Sequence, residues 1–405
     1  MLQVREHSSF AEARPWAEKW NSIILESSGG EVFRSYEWMS IWWEGFARRG
    51  MKLLLLSVWD GEELVGVAPL MVCRTWFGVI PVRALELVSM WKYAGSAASV
   101  LGSADIVARG DEEAVAREIV AYLSSGSRRW DLVRFHPLKE NSALLAALEE
   151  SSRREGRAFR LRHVFDNAVL HVDQGLVLFR QNLSPKFRAR LRQSEAKLRR
   201  RGNLGYSEVS SPDGIQAAWD AVMEVERRSW KWTKGITINS AAYRDFYRIL
   251  AARLSEAGWL RLGFLHFQGR PVAYSLMAKT GSSAVFLKTG YDESLADCSP
   301  GSISMLIAFE RLAAEGVSRI NMLSGDWEYK SKWHAVPEPH CEALLFDGGI
   351  YGRLLHLLYF RVGLYERGRV PILTFKRILR KCGIPYPNSE LTRSDQLWFS
   401  RGQPR

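Results

Sequence analysis

The chain reads as an α/β (α+β) protein of two similar halves followed by a basic helical tail, and three observations point there. Strands alternate with helices in both halves. A hairpin pattern recurs, as DGEELVGVAPLM and as QGRPVAYSLM roughly 207 residues later, which is what a duplicated fold leaves behind. The stretch Ala284–Trp333 sets out a strand, a polar loop, a helix with an open first turn and a second strand. With 405 residues, 47% of them hydrophobic, the chain can fill two cores, and the expected division is 1–175, 176–346 and a tail over 347–405.

In the first half, Trp38, Trp42 and Phe46 recur at every fourth position after a Ser-Ser-Gly-Gly turn. They form either a core stripe or an aromatic platform for sugars. Leu53–Val58 and Leu64–Val72 flank Asp60-Gly61 and predict a β-hairpin. A helix over Glu112–Leu123, a strand over Leu132–Phe135, a helix over Ser142–Arg154 and a strand over Ala168–Val172 follow. Gly78 and Val79 sit in a loop too poor in glycine to cradle a phosphate, so this half is expected to be non-catalytic or to face the substrate.

A basic helix opens at Ser184-Pro185, an N-cap followed by proline at the first helical position. Phe187, Leu191, Ser194 and Leu198 form its one narrow, mostly apolar stripe. Lys186, Arg188, Arg190, Arg192, Lys197, Arg199, Arg200 and Arg201 fill the rest, a solvated face or a seat for an anionic partner. The next helix, Asp213 to about Trp230, ends in EVERRSWKWTKG and carries Glu226, Trp230 and Lys231. The second hairpin, Leu260–Phe267 and Val272–Ala278, comes after it.

Val285–Thr289 is a strand that stops at Gly290. Ser299-Pro300-Gly301 then opens an apolar helix that ends near Glu315 and closes on Gly316. Its first-turn N–H groups, on Gly301, Ser302 and Ile303, have no helical partner and with the helix dipole make a natural phosphate seat. A strand over Arg319–Leu323 breaks at Ser324-Gly325, and Asp326, Tyr329, Lys330 and Trp333 then line one side of a helix. The bland alternative is that Asp326 caps that helix and pairs with Lys330. After a strand at Glu342–Phe346, Tyr351, Leu355, Leu358, Val362 and Tyr365 form a seam beside Arg353, Arg361 and Arg367. This seam either docks on the body of the protein or rests on an anionic membrane.

The net charge of +12 gathers in two segments, 180–201 and 350–405, which carry about +8 each and leave the body near −4. Any affinity for polyanions or membranes is expected there. Cys73, Cys298, Cys341 and Cys382 lack the spacing of a zinc site or a disulfide framework. G-x-S-x-G, G-x-G-x-x-G and the Walker motif are absent, and the histidines pair with no Ser or Cys at a recognised spacing. Direct transfer without a covalent enzyme intermediate is therefore preferred. The N-terminus has no apolar signal region and no run reaches the roughly 20 apolar residues of a membrane span, so a cytoplasmic protein is expected.

The SPG helix start, the strand-GD-x-x-Y-K-x-x-W that follows it, FxSxEW…WW near the N-terminus, the Arg-rich helix and E-x-x-S-W-K at Glu226–Lys231 together resemble the CelD-like proteins of bacterial exopolysaccharide clusters, relatives of the Fem peptidyltransferases. The resemblance implies two tandem GNAT-like acyltransferase folds and direct transfer from acetyl-CoA or another acyl-CoA, without a metal, to an amino sugar, a polysaccharide precursor or another amine. On that expectation Ser299, Gly301, Ser302 and Ile303 hold the pyrophosphate, Lys288 or Lys279 adds charge, and the acyl carbon lies near Thr289 and Leu323. Asp326 is the base or acceptor anchor with Glu226 as second candidate, Tyr329 protonates sulfur and Lys330 faces the oxyanion. Trp230, Lys231 and Trp333 line the acceptor site. Two rivals stay open. One uses aminoacyl-tRNA as donor, held by Arg180–Arg201. The other is a non-catalytic binding module, kept peripheral to the inner membrane by its tail.

Overall fold

The computed structural model describes residues 2–358 apart from 28–29, 78–79, 90–101, 103, 126–129, 174, 234–237 and 239–240. Gly78, Val79, Cys382 and the tail beyond residue 358 therefore lie outside the described residues.

Thirteen strands join one sheet. The first half contributes β1 (Leu2–His7), β2 (Met51–Asp60), β3 (Glu63–Phe77), β4 (Ile80–Leu87), β5 (Val107–Ala108), β6 (Leu132–Lys139) and β7 (Phe159–His171). The second contributes β8 (Leu204–Val209), β9 (Leu260–Phe267), β10 (Arg270–Thr280), β11 (Ser283–Tyr291), β12 (Arg319–Asn321) and β13 (Val336–Phe346). The order across the sheet is β1-β2-β3-β4-β6-β13-β7-β12-β11-β10-β9-β8, with β5 beside β3.

Read inward from either edge, the two halves repeat each other. Four antiparallel strands are followed by a fifth that runs parallel to the fourth, β4 to β6 on one side and β11 to β12 on the other. At the centre the halves exchange strands. β13 pairs antiparallel with β6 of the first half, β7 pairs antiparallel with β12 of the second, and β7 and β13 pair with each other from Val169–Val336 to Phe159–Leu345. The tandem architecture expected from the repeated hairpins is thus present as one continuous sheet.

The helices that matter for the site are α1 (Phe10–Ala13), α2 (Ala17–Glu26), α3 (Tyr36–Phe46), α4 (Glu112–Ser125), α5 (Ala143–Glu155), α6 (Leu176–Asn182), α7 (Pro185–Arg201), α8 (Ile215–Arg228), α9 (Trp230–Thr233), α10 (Ala241–Glu256), α11 (Pro300–Ala314), α12 (Trp327–Ser331) and α13 (Ile350–His356). Trp38, Trp42 and Phe46 are buried, which makes them the core stripe and not a sugar platform. Trp38 and Phe46 meet Phe246 of α10 at ring-centroid distances of 5.2 and 5.3 Å, so the helices of the two halves pack on one another. On the opposite face α11 buries Met305, Phe309 and Leu312 against Phe286 of β11, Met277 of β10 and the Phe187–Leu191 stripe of α7.

One buried ionic network crosses the boundary. Arg319 of β12 donates to Glu31 and, with both contacts at 2.8 Å, to the two oxygens of Glu338 on β13. Asn321 donates to the same Glu31 oxygen at 2.9 Å. Burial alone would raise the Glu31 carboxyl, but Lys139 and Arg319 outweigh it and hold the group at about 2.

Candidate active site

β11 and β12 run side by side for only three residue pairs, Ser283–Arg319 to Val285–Asn321. Leu323 then takes a left-handed backbone (φ 62°) and the chain leaves the sheet, so from Phe286 onward that edge of β11 has no strand beside it among the described residues. At the same place β11 holds a bulge. Met277 of β10 faces Phe286 while the neighbouring Leu276 faces Lys288, which leaves Leu287 as an extra residue. A single extra residue moves every later side chain to the other face of the sheet. An open strand edge and a bulge coincide at the point where the acyl group was expected.

The bulge overturns one expectation. Lys288 turns away from α11 and lies over the Tyr247 ring of α10, 5.1 Å from its centroid, where it cannot serve a pyrophosphate at the α11 start. Lys279 is also excluded, because it pairs at 3.3 Å with Glu315, beyond the far end of α11. The α11 start is narrower as an anion seat than the spacing implied. Ser299 has a left-handed backbone (φ 50°) and its side chain caps nothing. Its carbonyl oxygen accepts from Ser302 N at 3.0 Å and Ile303 N at 3.3 Å, so of the three expected donors Gly301 N–H is the one not drawn into the turn. A Cβ at Gly301 would come within 3.1 Å of Tyr291. The glycine thus keeps the helix start close against β11.

Glu226 is the best-built acid or base of the region. It is 2% exposed at the end of α8, and Tyr274 from β10 donates its hydroxyl to one carboxylate oxygen in a very short hydrogen bond. The other oxygen is buried without a hydrogen-bond partner among the described residues. Burial raises the Glu226 pKa, against the opposing effects of the Tyr274 hydrogen bond and of Lys231 and Lys288 nearby. Gly290 leaves the room, since a Cβ there would lie 2.5 Å from the Tyr274 ring and 3.0 Å from Glu226 Oε1. Tyr274 and Tyr247 escaped the sequence reading. The signal for Tyr274 was the hydroxyl pair Tyr274-Ser275 in the apolar strand of the second hairpin.

The α8 helix stops earlier than its periodicity predicts. Ser229 is extended (ψ 144°) and α9 starts afresh at Trp230, which lets Lys231 turn inward and donate to Thr289 O at 2.5 Å. Burial lowers the pKa of Lys231, and burial with repulsion from Lys231 brings Lys288 down to about 8.

The GDWEYKSKW segment separates into different roles. Asp326 is exposed and its carboxylate accepts from Tyr329 N at 3.2 Å, which makes it the N-cap of α12 and not the buried base. Lys330 does not pair with it. Its ammonium donates to the carbonyl oxygens of Met322, Leu323 and Ser324 at 2.8, 2.8 and 2.5 Å. All three of its N–H donors are spent holding the chain where β12 leaves the sheet, so none remains for an oxyanion. Burial, and after it repulsion from Lys231, brings its pKa to about 8. Trp333 is wholly buried between Phe187 and Phe309 at 4.9 and 5.1 Å, so it is core beneath the site and not a wall of it. Tyr329 lies at the α11 start. Its hydroxyl lies 3.2 Å from Ser302 Oγ in the first turn of α11, and burial raises its pKa.

On α7 the predicted stripe of Phe187, Leu191, Ser194 and Leu198 is buried. Arg199 pairs with Glu195, and Lys197 and Arg201 with Asp297. Lys186, Arg188, Arg190, Arg192 and Arg200 make no ion pair among the described residues. No group of three or more His, Cys, Asp or Glu among the described residues could hold a metal ion, and no helix there is long and apolar enough to cross a membrane.

Residues 185–331 match the sequence profile of a family described as an acetyltransferase (GNAT) domain. No curated protein matches the chain. Among solved structures, FemX aligns over 88% of this chain and 99% of its own at 10% identity and a TM-score of 0.57. A conserved protein of unknown function from Bacteroides thetaiotaomicron aligns over 86% and 100% at 15% identity and a TM-score of 0.51. The C-terminal domain attributed to a lysylphosphatidylglycerol synthetase of Agrobacterium fabrum aligns over 86% and 95% at 15% identity and a TM-score of 0.50. The chain therefore carries a GNAT acyltransferase domain, of a kind that generally takes acyl-CoA as co-substrate, within a fold like that of FemX and the synthetase domain.

Proposed function

We propose that this chain is an acyl-CoA-dependent N-acyltransferase of CelD-like type, moving an acetyl or related group directly to an amine-bearing acceptor such as an amino sugar or an exopolysaccharide precursor. The observation that carries it is the open, bulged edge of β11 with Glu226 buried behind it and the Tyr329 hydroxyl at the adjacent α11 start. The thioester lies along that edge, its pyrophosphate beside Gly301 and its acyl oxygen toward the backbone of the bulge. The acceptor nitrogen attacks the acyl carbon and gives its proton to Glu226, whose raised pKa suits a base. The carbon–sulfur bond then breaks and the thiolate takes the Tyr329 proton. Trp230 and Lys231 border the acceptor side.

Calorimetry with acetyl-CoA tests the donor. Saturable binding that Ser302→Glu abolishes, with an unchanged melting temperature, supports this reading, because the new carboxylate would stand where the pyrophosphate lies. Equal affinity in parent and variant removes the α11 start from donor binding.

The unpaired arginines of α7 favour one second reading, an aminoacyl-tRNA donor. It requires tRNA binding whose salt dependence flattens when Arg190, Arg192 and Arg200 are replaced together by Gln, since each neutralised phosphate releases counterions. A salt slope equal to the parent's leaves α7 a solvated face.

A further inference from the structure

A second concavity lies between α8 and α10. Trp219, Asp220, Met223 and Arg227 of α8 and Arg244, Asp245 and Arg248 of α10 line a groove of about 460 Å³ between the two helices. Trp219 and Met223 are buried and form its apolar floor. Trp219 and Met223 precede Glu226 on its own face of α8 by about two turns and one, so the groove runs up the same helix toward the acyl-transfer site.

The charges in this groove are arranged against the helices' own stability. Arg227, Arg244 and Arg248 make no ion pair among the described residues, although Asp220 and Asp245 line the same groove. Arg244 stands in the first turn of α10, where the helix dipole disfavours a cation. Arg244 and Arg248 are also four residues apart on one helix, where like charges repel. Three arginines lining one groove without ion-pair partners among the described residues are stabilised by an oxyanion, which guanidinium groups can grip with paired N–H donors. The volume is that of a small-molecule site.

We infer that the α8–α10 groove binds a small phosphorylated, hydroxyl-bearing molecule, its phosphoryl oxygens on Arg227, Arg244 and Arg248 and its hydroxyl groups donating to Asp220 and Asp245. A phosphoryl dianion fits better than a carboxylate, because its three oxygens can serve three guanidinium groups. The two aspartates would repel a bare polyanion and so select a ligand that also carries donors. The inference does not depend on the acyl-transfer reading.

The test is isothermal calorimetry on the full chain in phosphate-free, low-salt buffer, with inorganic phosphate, glucose 6-phosphate and glucose as probes. The expected result is saturable binding of glucose 6-phosphate, weaker binding of phosphate and none of glucose, with acetyl-CoA affinity untouched by saturating glucose 6-phosphate. Arg244→Gln with Arg248→Gln should raise the Kd for glucose 6-phosphate at least tenfold, and Asp245→Asn should weaken glucose 6-phosphate more than phosphate. If the double variant melts early, the exposed Arg248→Gln alone is read and should raise the Kd severalfold. Absence of saturable binding by both phosphate probes overturns the site, as does binding that these arginine substitutions leave unchanged.

Discussion

Tyr274 donates its hydroxyl hydrogen to one oxygen of the Glu226 carboxylate, and the second oxygen is buried with no hydrogen-bond partner among the described residues. A buried carboxylate lone pair without a donor is costly, and the proposed acceptor amine would supply one. Replacing Glu226 by Gln keeps the shape and removes the base. Turnover, read as thiol release with a panel of amines and amino sugars, should fall about 10²-fold or more, with the melting temperature near the parent's. A variant as active as the parent would take the proton transfer away from Glu226.

Tyr274→Phe separates a poised base from a merely packed one. The tyrosine hydrogen bond favours the ionised carboxylate, so its loss should raise the Glu226 pKa further. The acid limb of the kcat/KM profile should move to higher pH while its alkaline limb stays in place. An acid limb that does not move would show that Glu226 does not govern it.

Lys288 links the site to stability. Its folded pKa of about 8 lies below its ordinary 10.5, so between those values the unfolded chain holds a proton that the folded chain has lost. Its contribution to stability therefore rises with pH across that window, because the unfolded state binds more protons there. Below pH 8 the group is charged in both states and the cost of burying that charge is felt in full. Thermal melts from pH 7 to 10.5 should show Lys288→Met gaining most over the parent at the low end and losing that advantage toward the high end. Parallel melting curves would mean that Lys288 keeps its ordinary charge.

Asp326 should behave as a helix cap. Asn also caps, so Asp326→Asn should leave turnover and melting temperature close to the parent's, whereas Asp326→Ala should cost about 1 kcal/mol in denaturant unfolding. A large loss of turnover in Asp326→Asn with acetyl-CoA binding intact would return the residue to the chemistry.

Much of this arrangement was legible because it rests on local signals. Phe187, Leu191, Ser194 and Leu198 were readable as the buried stripe of α7 from period alone, and the helix expected over Ser142–Arg154 lies one residue from its observed ends, with Ser142 as its N-cap. What escaped was set by contacts distant in sequence or by one-residue irregularities. β7 was expected only from Ala168 because Phe159–His163 is exposed and interrupted by Arg160, Arg162 and His163. The start of β13 was hidden by Pro337 and Pro339, residues that ordinarily argue against a strand with neighbours on both sides. Lys288 was put on the wrong face because nothing in VFLKTG announces the extra residue at Leu287. Trp333 was taken for a substrate wall because a helical spacing cannot tell which neighbours will cover a side chain.

The Arg319 network offers a stability test far from the chemistry. Arg319→Met would leave Glu31 buried without its guanidinium, and removing one partner of a buried pair costs about 3 to 5 kcal/mol. Denaturant unfolding should show that loss. Replacing Glu31 by Gln and Arg319 by Met together should recover part of it, and no recovery would mean that the two residues act independently.

The strand exchange at the centre of the sheet governs how the chain comes into being on the ribosome. β7 is synthesised about 167 residues before Val336, the first residue of β13 to face it, which at ordinary elongation rates is roughly ten to thirty seconds. Until β12 is made neither edge of β7 has its final neighbour, and β13 follows later still. The charged and exposed run Arg160–His163 lies on that waiting strand and opposes premature pairing with the β7 of another nascent chain. Neither half can be released as a finished domain, so a ribosome that stalls before residue 336 leaves both halves incomplete.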